Sequence, residues 1–217
     1  MAYEYRIAIS QTAADLGLSG TVAVSSPLDR LTGTGTAFLT GTPFLYNALR
    51  AGDVVFANGE ARLIESVDSD TQITVVTNFS ATFSGVTYAF ARLRQVEYLI
   101  NAGANVEVTV RNCAAPKGVY TPFSQVKDLG DGARRGYGRP SAKWVWGFVS
   151  KTNRNRLKTY STGSSRLLYI KTMRYEDEDE FGVYEAIMLW PYPDENREMG
   201  GFRMNFEAEF RNLVEIT

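Results

Sequence analysis

The chain has 217 residues, of which 44% are apolar and 22% charged, and 23 basic residues against 24 acidic ones give a net charge of -1. It contains no histidine, which excludes Ser-His-Asp and Cys-His catalysis and most zinc sites. The single cysteine, Cys113, cannot form an intramolecular disulfide, and the balanced charge argues against a general binder of nucleic acid or anionic membranes.

The composition of the chain changes near residues 91–97, which predicts a domain boundary there. Residues 1–93 hold five arginines, no lysine and eight acidic residues, whereas residues 94–217 hold 18 basic and 16 acidic residues. All three tryptophans lie in the second part. No apolar run approaches the length of a membrane span, so we expect two domains and no membrane partner.

The first part of the chain predicts short strands separated by turns. Thr21–Ser25 and Gln72–Val76 are rich in β-branched residues. The apolar run Asp53–Phe56 leads into Asn58 and Gly59, the dipeptide most typical of a two-residue hairpin. Short strands separated by such turns predict a small β-barrel or sandwich.

The second part predicts longer strands and one helix. Ser141–Phe148 has the composition of an aromatic strand, and Ser150–Tyr160 that of a helix which Ser150 or Thr152 could cap. The segment 201–210 alternates between apolar and polar residues, which predicts that one face of this strand is buried. The residues predicted to share the buried face are Phe202, Met204, Phe206, Ala208 and Phe210.

A loop rich in arginine and glycine is the first candidate site. The segment 131–140 contains three arginines, three glycines and one tyrosine. Arginine and tyrosine are favoured at the cores of protein interfaces, which favours a shaped loop that packs on a partner subunit. A solvent-exposed loop and a grip on single-stranded nucleic acid by charge and stacking are the alternatives. The candidate interface residues are Arg134, Arg135, Tyr137 and Arg139.

An unbroken acidic run is the second candidate site, and it consists of Glu176, Asp177, Glu178, Asp179 and Glu180. Carboxylates can hold a hard cation, but the run lacks the alternating spacing and the glycine of a calcium loop. The remaining interpretations are a charge contact with a neighbouring subunit and a solvated hairpin tip. We therefore predict no metal site, no catalytic residue and no cofactor, and expect that the protein is not an enzyme.

Five segments of the first part form a pattern that is familiar from other proteins. They are Leu31–Phe38, Leu49–Phe56, Glu60–Val67, Ser69–Val75 and Phe79–Tyr88. Over roughly residues 20–93 they resemble a small all-β module that occurs in many virion proteins of tailed bacteriophages. The resemblance implies that residues 1–93 form such a module.

The second part resembles the distal tail and minor tail-tip proteins of long-tailed phages. That family shares with tail tube proteins a β-sandwich flanked by one α-helix, which is the fold implied for residues 94–217. In distal tail proteins the ring-forming sandwich commonly comes first, whereas here the additional β module precedes it. The segments that carry the resemblance are Leu129–Gly132, Arg135–Pro140, Trp144–Trp146, Leu157–Tyr160 and Phe206–Val214.

These resemblances imply a structural virion protein that is made in the host cytoplasm and forms a ring at the distal end of the tail. We expect residues 94–217 to form the wall of a six-fold ring around the lumen that conducts DNA, with residues 1–93 as an external appendage. The implied partners are copies of the chain itself and the tube, hub and tape-measure proteins, and DNA passes the ring without specific contacts. In such a ring, the arginines of 134–139 would meet the acidic run 176–180 of the next subunit. A major tail tube protein and a host-surface-binding module are the alternatives.

Overall fold

The computed structural model describes residues 7–11, 19–39, 49–101, 110–161, 167–175, 180–190, 198–199 and 202–217. The first strands are β1 (Ala8–Gln11), β2 (Thr21–Val24), β3 (Arg30–Thr34), β4 (Val54–Ala57), β5 (Glu60–Ser69), β6 (Gln72–Val75), β7 (Phe83–Val86), β8 (Tyr88–Ala91) and β9 (Arg94–Gln95). A 3-10 helix at Val96–Tyr98 follows. The remaining elements are β10 (Lys117–Thr121), β11 (Gln125–Asp128), β12 (Arg134–Tyr137), β13 (Ser141–Ser150), α1 (Lys151–Lys158), β14 (Leu167–Tyr175), β15 (Glu180–Leu189), β16 (Glu198–Met199) and β17 (Phe202–Glu215). The mainly β fold class predicted from the sequence is confirmed.

The chain divides into two compact units. One unit is built on residues 11–93, and the other on residues 94–102 and 108–215 together with residues 1–10. The predicted division placed residues 8–11 in the N-terminal module, but β1 pairs with β9, with Ala8 opposite Gln95. Because this pairing joins residues far apart in the sequence, local composition could not reveal it.

The unit built on residues 11–93, the barrel module, contains a single seven-stranded antiparallel sheet in the order β7-β2-β3-β6-β5-β4-β8. Its two edge strands, β7 and β8, are separated in the chain by Thr87 alone. The sheet must therefore curl until its edges come together, as in a small barrel. Its core includes Val22, Leu31, Phe38, Val55, Ile64, Ile73, Phe79 and Phe90.

The predicted hairpin in the barrel module is confirmed. β4 and β5 pair across Asn58 and Gly59, whose φ angles are 51° and 79°. Positive φ at both central residues is the requirement of a type I′ turn, which asparagine and glycine meet at low cost. The turn twists the two strands in the same sense as the surrounding sheet, so the hairpin fits into it.

The other unit is organised by a sheet in the order β10-β13-β17-β15-β14-β1-β9, with β16 on β17. The indole N–H of Trp144 on β13 donates a hydrogen bond to Oγ1 of Thr172 on β14 over 3.0 Å. Because β13 and β14 are not neighbours in the sheet, this bond shows that the sheet curls around its own core. The core includes Trp144, Trp146, Leu168, Ile170, Ala208 and Phe210.

The predicted helix is confirmed as α1. The Ser150 hydroxyl accepts a hydrogen bond from the backbone N–H of Asn153, as expected of an N-cap. Leu157 and Tyr160 pack into the core, and the Tyr160 hydroxyl donates to the carbonyl of Ile100. No helix within the described ranges has the length and hydropathy needed to cross a lipid bilayer.

The predicted buried face of β17 is correct for half of its length and wrong for the rest. Phe206, Ala208 and Phe210 are buried, but Phe202 and Met204 are exposed. Between the two groups lies Asn205, whose φ of 50° breaks the regular alternation of the strand. The sequence predicts strict alternation over the whole segment, but the left-handed conformation of Asn205 interrupts it.

Candidate functional site

The most prominent surface feature is a two-stranded β-hairpin that extends the main sheet. β11 and β12 pair with each other and form a separate two-stranded sheet. We call residues 121–139 the arm. The pairing of β10 with β13 places Thr121 opposite Ser141, and the same register continues in the arm, where Gln125 is opposite Tyr137. The arm is therefore the outer part of one long ribbon, and its strands extend roughly 20 Å beyond the sheet.

The ribbon is interrupted where the arm leaves the sheet. In the continuous register Pro122 is opposite Pro140, and neither has the backbone N–H that a ladder requires. Gly138 lies next to this break with a φ of 90°, and a Cβ there would lie 1.9 Å from Oγ of Ser124. A residue other than glycine at position 138 would therefore be strained.

The arm is exposed along its whole length. Every residue from Thr121 to Arg139 is exposed except Gly136, which is half-buried. A two-stranded hairpin with no covering layer is marginally stable in water, because it buries little apolar surface. Contacts from outside the chain would therefore stabilise the arm considerably.

The first face of the arm is apolar. Val126 lies opposite Gly136, and opposed residues of antiparallel strands share a face. The ring of Phe123 covers Gly136, because a Cβ on this glycine would lie 2.2 Å from its Cδ2 atom. Phe123 and Val126 are 47% and 62% exposed. We call these two side chains around Gly136 the apolar face of the arm.

The opposite face of the arm is basic. Lys127 is paired with Arg135, and Gln125 is paired with Tyr137. No acidic residue of β11 or β12 occupies this face. Lysine, arginine and tyrosine together can contact carboxylates or phosphates and can also pack. We call these residues the basic face.

The tip of the arm is held by local polar contacts. The guanidinium Nε of Arg134 lies 2.8 Å from a carboxylate oxygen of Asp128 directly across the ribbon. The Asp131 carboxylate accepts a hydrogen bond from the backbone N–H of Ala133 over 3.0 Å. Both partners of the ion pair are largely exposed, so it contributes little to stability. These contacts shape the turn without covering its surface.

The structure brings one predicted site together and leaves the other incomplete. The predicted interface residues Arg134, Arg135, Tyr137 and Arg139 all lie on the arm. Of the acidic run, residues 176–179 lie outside the described residues. Glu180 is the first residue of β15, and its carboxylate Oε1 lies 3.4 Å from Nη1 of Arg174. The same nitrogen lies 3.2 Å from Oε1 of Glu215. Arg134 and Glu180 thus each have an oppositely charged partner within the described part of the chain.

A second exposed surface was missed from the sequence, because two of its three residues, Phe202 and Met204, were predicted to be buried. Phe148 on β13 lies opposite Met204 on β17, and its ring meets that of Phe202 edge to face with centroids 5.9 Å apart. We call these three side chains the apolar patch. The sequence signals that could have identified it are Gly147 and Asn205, because both residues are unfavourable inside regular strands.

Several buried titratable side chains of this unit have raised pKa values. Cys113 is buried, and burial raises the pKa of its thiol, which disfavours the nucleophilic thiolate. Burial also raises the pKa of Tyr160 and of Tyr184. Within the described ranges no three acidic, cysteine or histidine side chains lie close enough together to hold a metal ion. The most prominent features of the described residues in this unit are two exposed surfaces, the arm and the apolar patch.

Comparison with known proteins assigns no role to these surfaces. No protein-family model, no curated protein and no solved structure matches the chain. Functional inference must therefore start from the exposed arm, its two different faces and the apolar patch.

Proposed function

We propose that this chain is a structural protein of a bacteriophage tail that assembles with copies of itself into a ring at the distal end of the tail. The observation that carries the proposal is the arm. It is a fully exposed β-hairpin with an apolar face and a basic face, and nothing in the described part of the chain covers it.

Self-assembly follows from the physical needs of such a hairpin. Its apolar residues gain free energy when another surface removes them from water, by about 25 cal/mol per Å² of apolar area. Its outer strand edges also leave backbone N–H and C=O groups available for pairing. A contact between the arm and a different surface of a second copy is heterologous, and such contacts close into rings when the rotation between subunits allows it.

The two units have separate roles in this proposal. Residues 94–217, with their curled sheet and arm, form the wall of the ring around a lumen for DNA. The barrel module has its own core and forms an outer appendage. The partners are copies of the chain and the adjacent tube, hub and tape-measure proteins of the tail, and the site of action is the virion.

A tail tube protein is the second candidate, since the same arm favours it. An arm that extends roughly 20 Å from its sheet can reach a neighbour within a ring, or a neighbour in a ring stacked above or below. The first arrangement gives single rings and the second gives tubes. The shape of the assembly therefore separates the two functions.

The test is the assembly state of the full-length chain. We expect native mass spectrometry and negative-stain electron microscopy of the purified protein to give closed rings. The double charge reversal Arg134→Glu and Arg135→Glu should leave the chain folded and shift it toward monomers. The matched control is Arg30→Glu with Lys158→Glu, which makes the same charge change at exposed positions of β3 and α1.

Each result bears directly on the proposal. Rings that the arm variant loses and the control variant retains support assembly through the arm. Stacked tubes favour the tail tube function instead. A wild-type chain that stays monomeric at all accessible concentrations contradicts both, and binding of that monomer to bacterial cells would point to a host-binding module.

A further inference from the structure

The apolar patch is a second surface that no described residue of its unit covers. Phe148, Phe202 and Met204 are 57%, 45% and 44% exposed, and they lie side by side on two paired strands. Single exposed apolar residues are normal, but three large adjacent ones usually mark an interaction site.

The patch exists because the ribbon of β13 and β17 reverses its faces at this end. Trp144 and Trp146 point into the core, and Phe148, two positions further along the same strand, is exposed while Val149 is buried. The change falls between Trp146 and Phe148 on β13 and at Asn205, whose φ is 50°, on β17. Residues that continue the inner face are thereby turned outward.

The arm and the patch lie at opposite ends of β13. The arm enters β13 at Ser141, and Phe148 is seven positions further along, which is about 23 Å in a strand. The arm extends from Ser141 in the other direction. An arm therefore cannot cover the patch of its own chain, and the two surfaces can meet only between copies.

Their size suits a contact between copies. An aromatic side chain presents roughly 150–250 Å² when fully exposed, so the half-exposed residues of the patch offer roughly 300 Å² and the apolar face of the arm roughly 200 Å². A standard interface buries about 1,600 Å² in total, of which somewhat more than half is nonpolar. Together the two surfaces supply about half of that nonpolar area.

Charge favours the apolar face of the arm over the basic face. Ser150 is paired with Phe202 of the patch, and the exposed Lys151 follows it directly. The basic face would bring Lys127 and Arg135 near this lysine. The apolar face instead brings the ion pair of Asp128 and Arg134, whose charges cancel. Asp128 is two positions from Val126 and directly opposite Arg134, so all three residues share this face.

We propose that the apolar face of the arm of one copy packs on the apolar patch of the next copy. This inference rests on the proposed self-assembly and names the two surfaces that meet. Phe123 and Val126 cover Phe148, Phe202 and Met204 of the neighbour. The basic face then points away from this contact and stays accessible to a further partner.

Cross-linking in the full-length chain tests the contact. The variant with Val126→Cys and Met204→Cys is treated with a bis-maleimide of short spacer length, which joins two thiols without an oxidant. We expect a ladder of covalent oligomers on a denaturing gel. The matched control is Val126→Cys with Val214→Cys, since Val214 is an exposed residue near the other end of β17. The wild-type chain, whose Cys113 is buried, measures the background.

A second pair of variants measures the energetic role of the patch. Phe148→Ser with Phe202→Ser should raise the concentration needed for half-assembly by at least about tenfold, as expected when central interface residues are lost. Val76→Ser with Val119→Ser removes two other exposed apolar side chains and should change it less than about twofold.

The outcomes separate this inference from the proposed function. A ladder from the 126/204 pair alone supports the contact. Covalent dimers from Val126→Cys alone would show that arms pair with arms, which overturns it. Rings that form without any 126/204 cross-link overturn the contact and leave self-assembly intact, whereas a monomeric wild-type chain overturns both.

Discussion

Two antiparallel hairpins of this chain have opposite surroundings. The β4–β5 hairpin of the barrel module lies inside a sheet, because β4 also pairs with β8 and β5 with β6. No further strand of the described ranges lies beside the β11–β12 hairpin of the arm. The first hairpin is thus completed by its own chain, and the second presents the same kind of ribbon to the outside.

The residue types of the two hairpins agree with their different surroundings. Val54 and Val55 of the first hairpin are fully buried, so the strand is apolar on both faces. In the arm, the second strand, β12, begins with Arg134 and Arg135, which are both exposed. A hairpin that needs outside contacts is therefore recognised by its mixture of charged and apolar side chains that no other layer covers. Its turn does not distinguish it.

We expect the largest difference in the free energy of unfolding between variants of two aromatic residues in the ribbon that contains the arm. Trp144 is fully buried and bonded to Thr172, whereas Tyr137 lies on the exposed arm. We expect Trp144→Ala to lower the free energy of unfolding by about 3–5 kcal/mol. Tyr137→Ala should change it by less than about 0.5 kcal/mol. Urea unfolding followed by circular dichroism measures both, and an equal loss in the two variants would contradict the assignment of the arm as uncovered.

We expect a smaller difference in the free energy of unfolding when valine is replaced by alanine in each of the two hairpins. Val55→Ala removes two buried methyl groups and should cost about 2 kcal/mol, since both the transfer and the cavity contribute. Val126→Ala on the arm should cost at most about 0.5 kcal/mol in the monomer. Unfolding is measured at a concentration where the chain is monomeric. If Val126→Ala were as costly, the arm would have to be packed within its own chain.

Local chemistry explains which features could be predicted from the sequence. The turn at Asn58 and Gly59 and the cap at Ser150 depend on residues within three positions, so their residue types sufficed. The position of candidate interface arginines in an exposed segment was also accessible, because arginine beside glycine is unsuited to a core.

The remaining features depend on long-range pairing. The place of β1 beside β9 joins residues more than 80 positions apart, and no local pattern encodes it. The exposure of Phe202 and Met204 depends on how β17 pairs with β13 and on the left-handed Asn205. The two faces of the arm follow from its register, which the sequence of one strand does not contain.

A third effect concerns the glycines that shape the two hairpins. Gly59 and Gly138 both have positive φ, but a Cβ at Gly59 meets open space while one at Gly138 collides with Ser124. We expect Gly59→Ala to cost about 1 kcal/mol of global stability through backbone strain alone. Gly138→Ala should leave global stability nearly unchanged and accelerate hydrogen exchange in β11 and β12. Gly130→Ala, at an open position of the arm tip, is the control and should not accelerate exchange.

The smallest expected effect is a pH dependence confined to the barrel module. The Ser80 side chain donates to the Glu60 carboxylate and lowers its pKa, although partial burial opposes this and Arg62 adds to the lowering. Ser66 and Thr74 donate to Asp68 and lower its pKa in the same way. Hydrogen bonds of this kind stabilise the charged form of a carboxylate.

The sign of the effect follows from the direction of these shifts. A carboxylate whose pKa is lower in the folded state stabilises the fold above its unfolded pKa, near 4, and loses this contribution as the pH falls through the folded pKa. The barrel module should therefore become less stable between about pH 5 and about pH 3. The loss should be small, because Asp68 is exposed and Glu60 is only half-buried, so that water screens both charges. Hydrogen exchange of β5 and β6 at the two pH values measures this loss. Ser80→Ala and Ser66→Ala remove the donors and should flatten the dependence, and if the loss persisted unchanged in both variants, other groups would have to cause it.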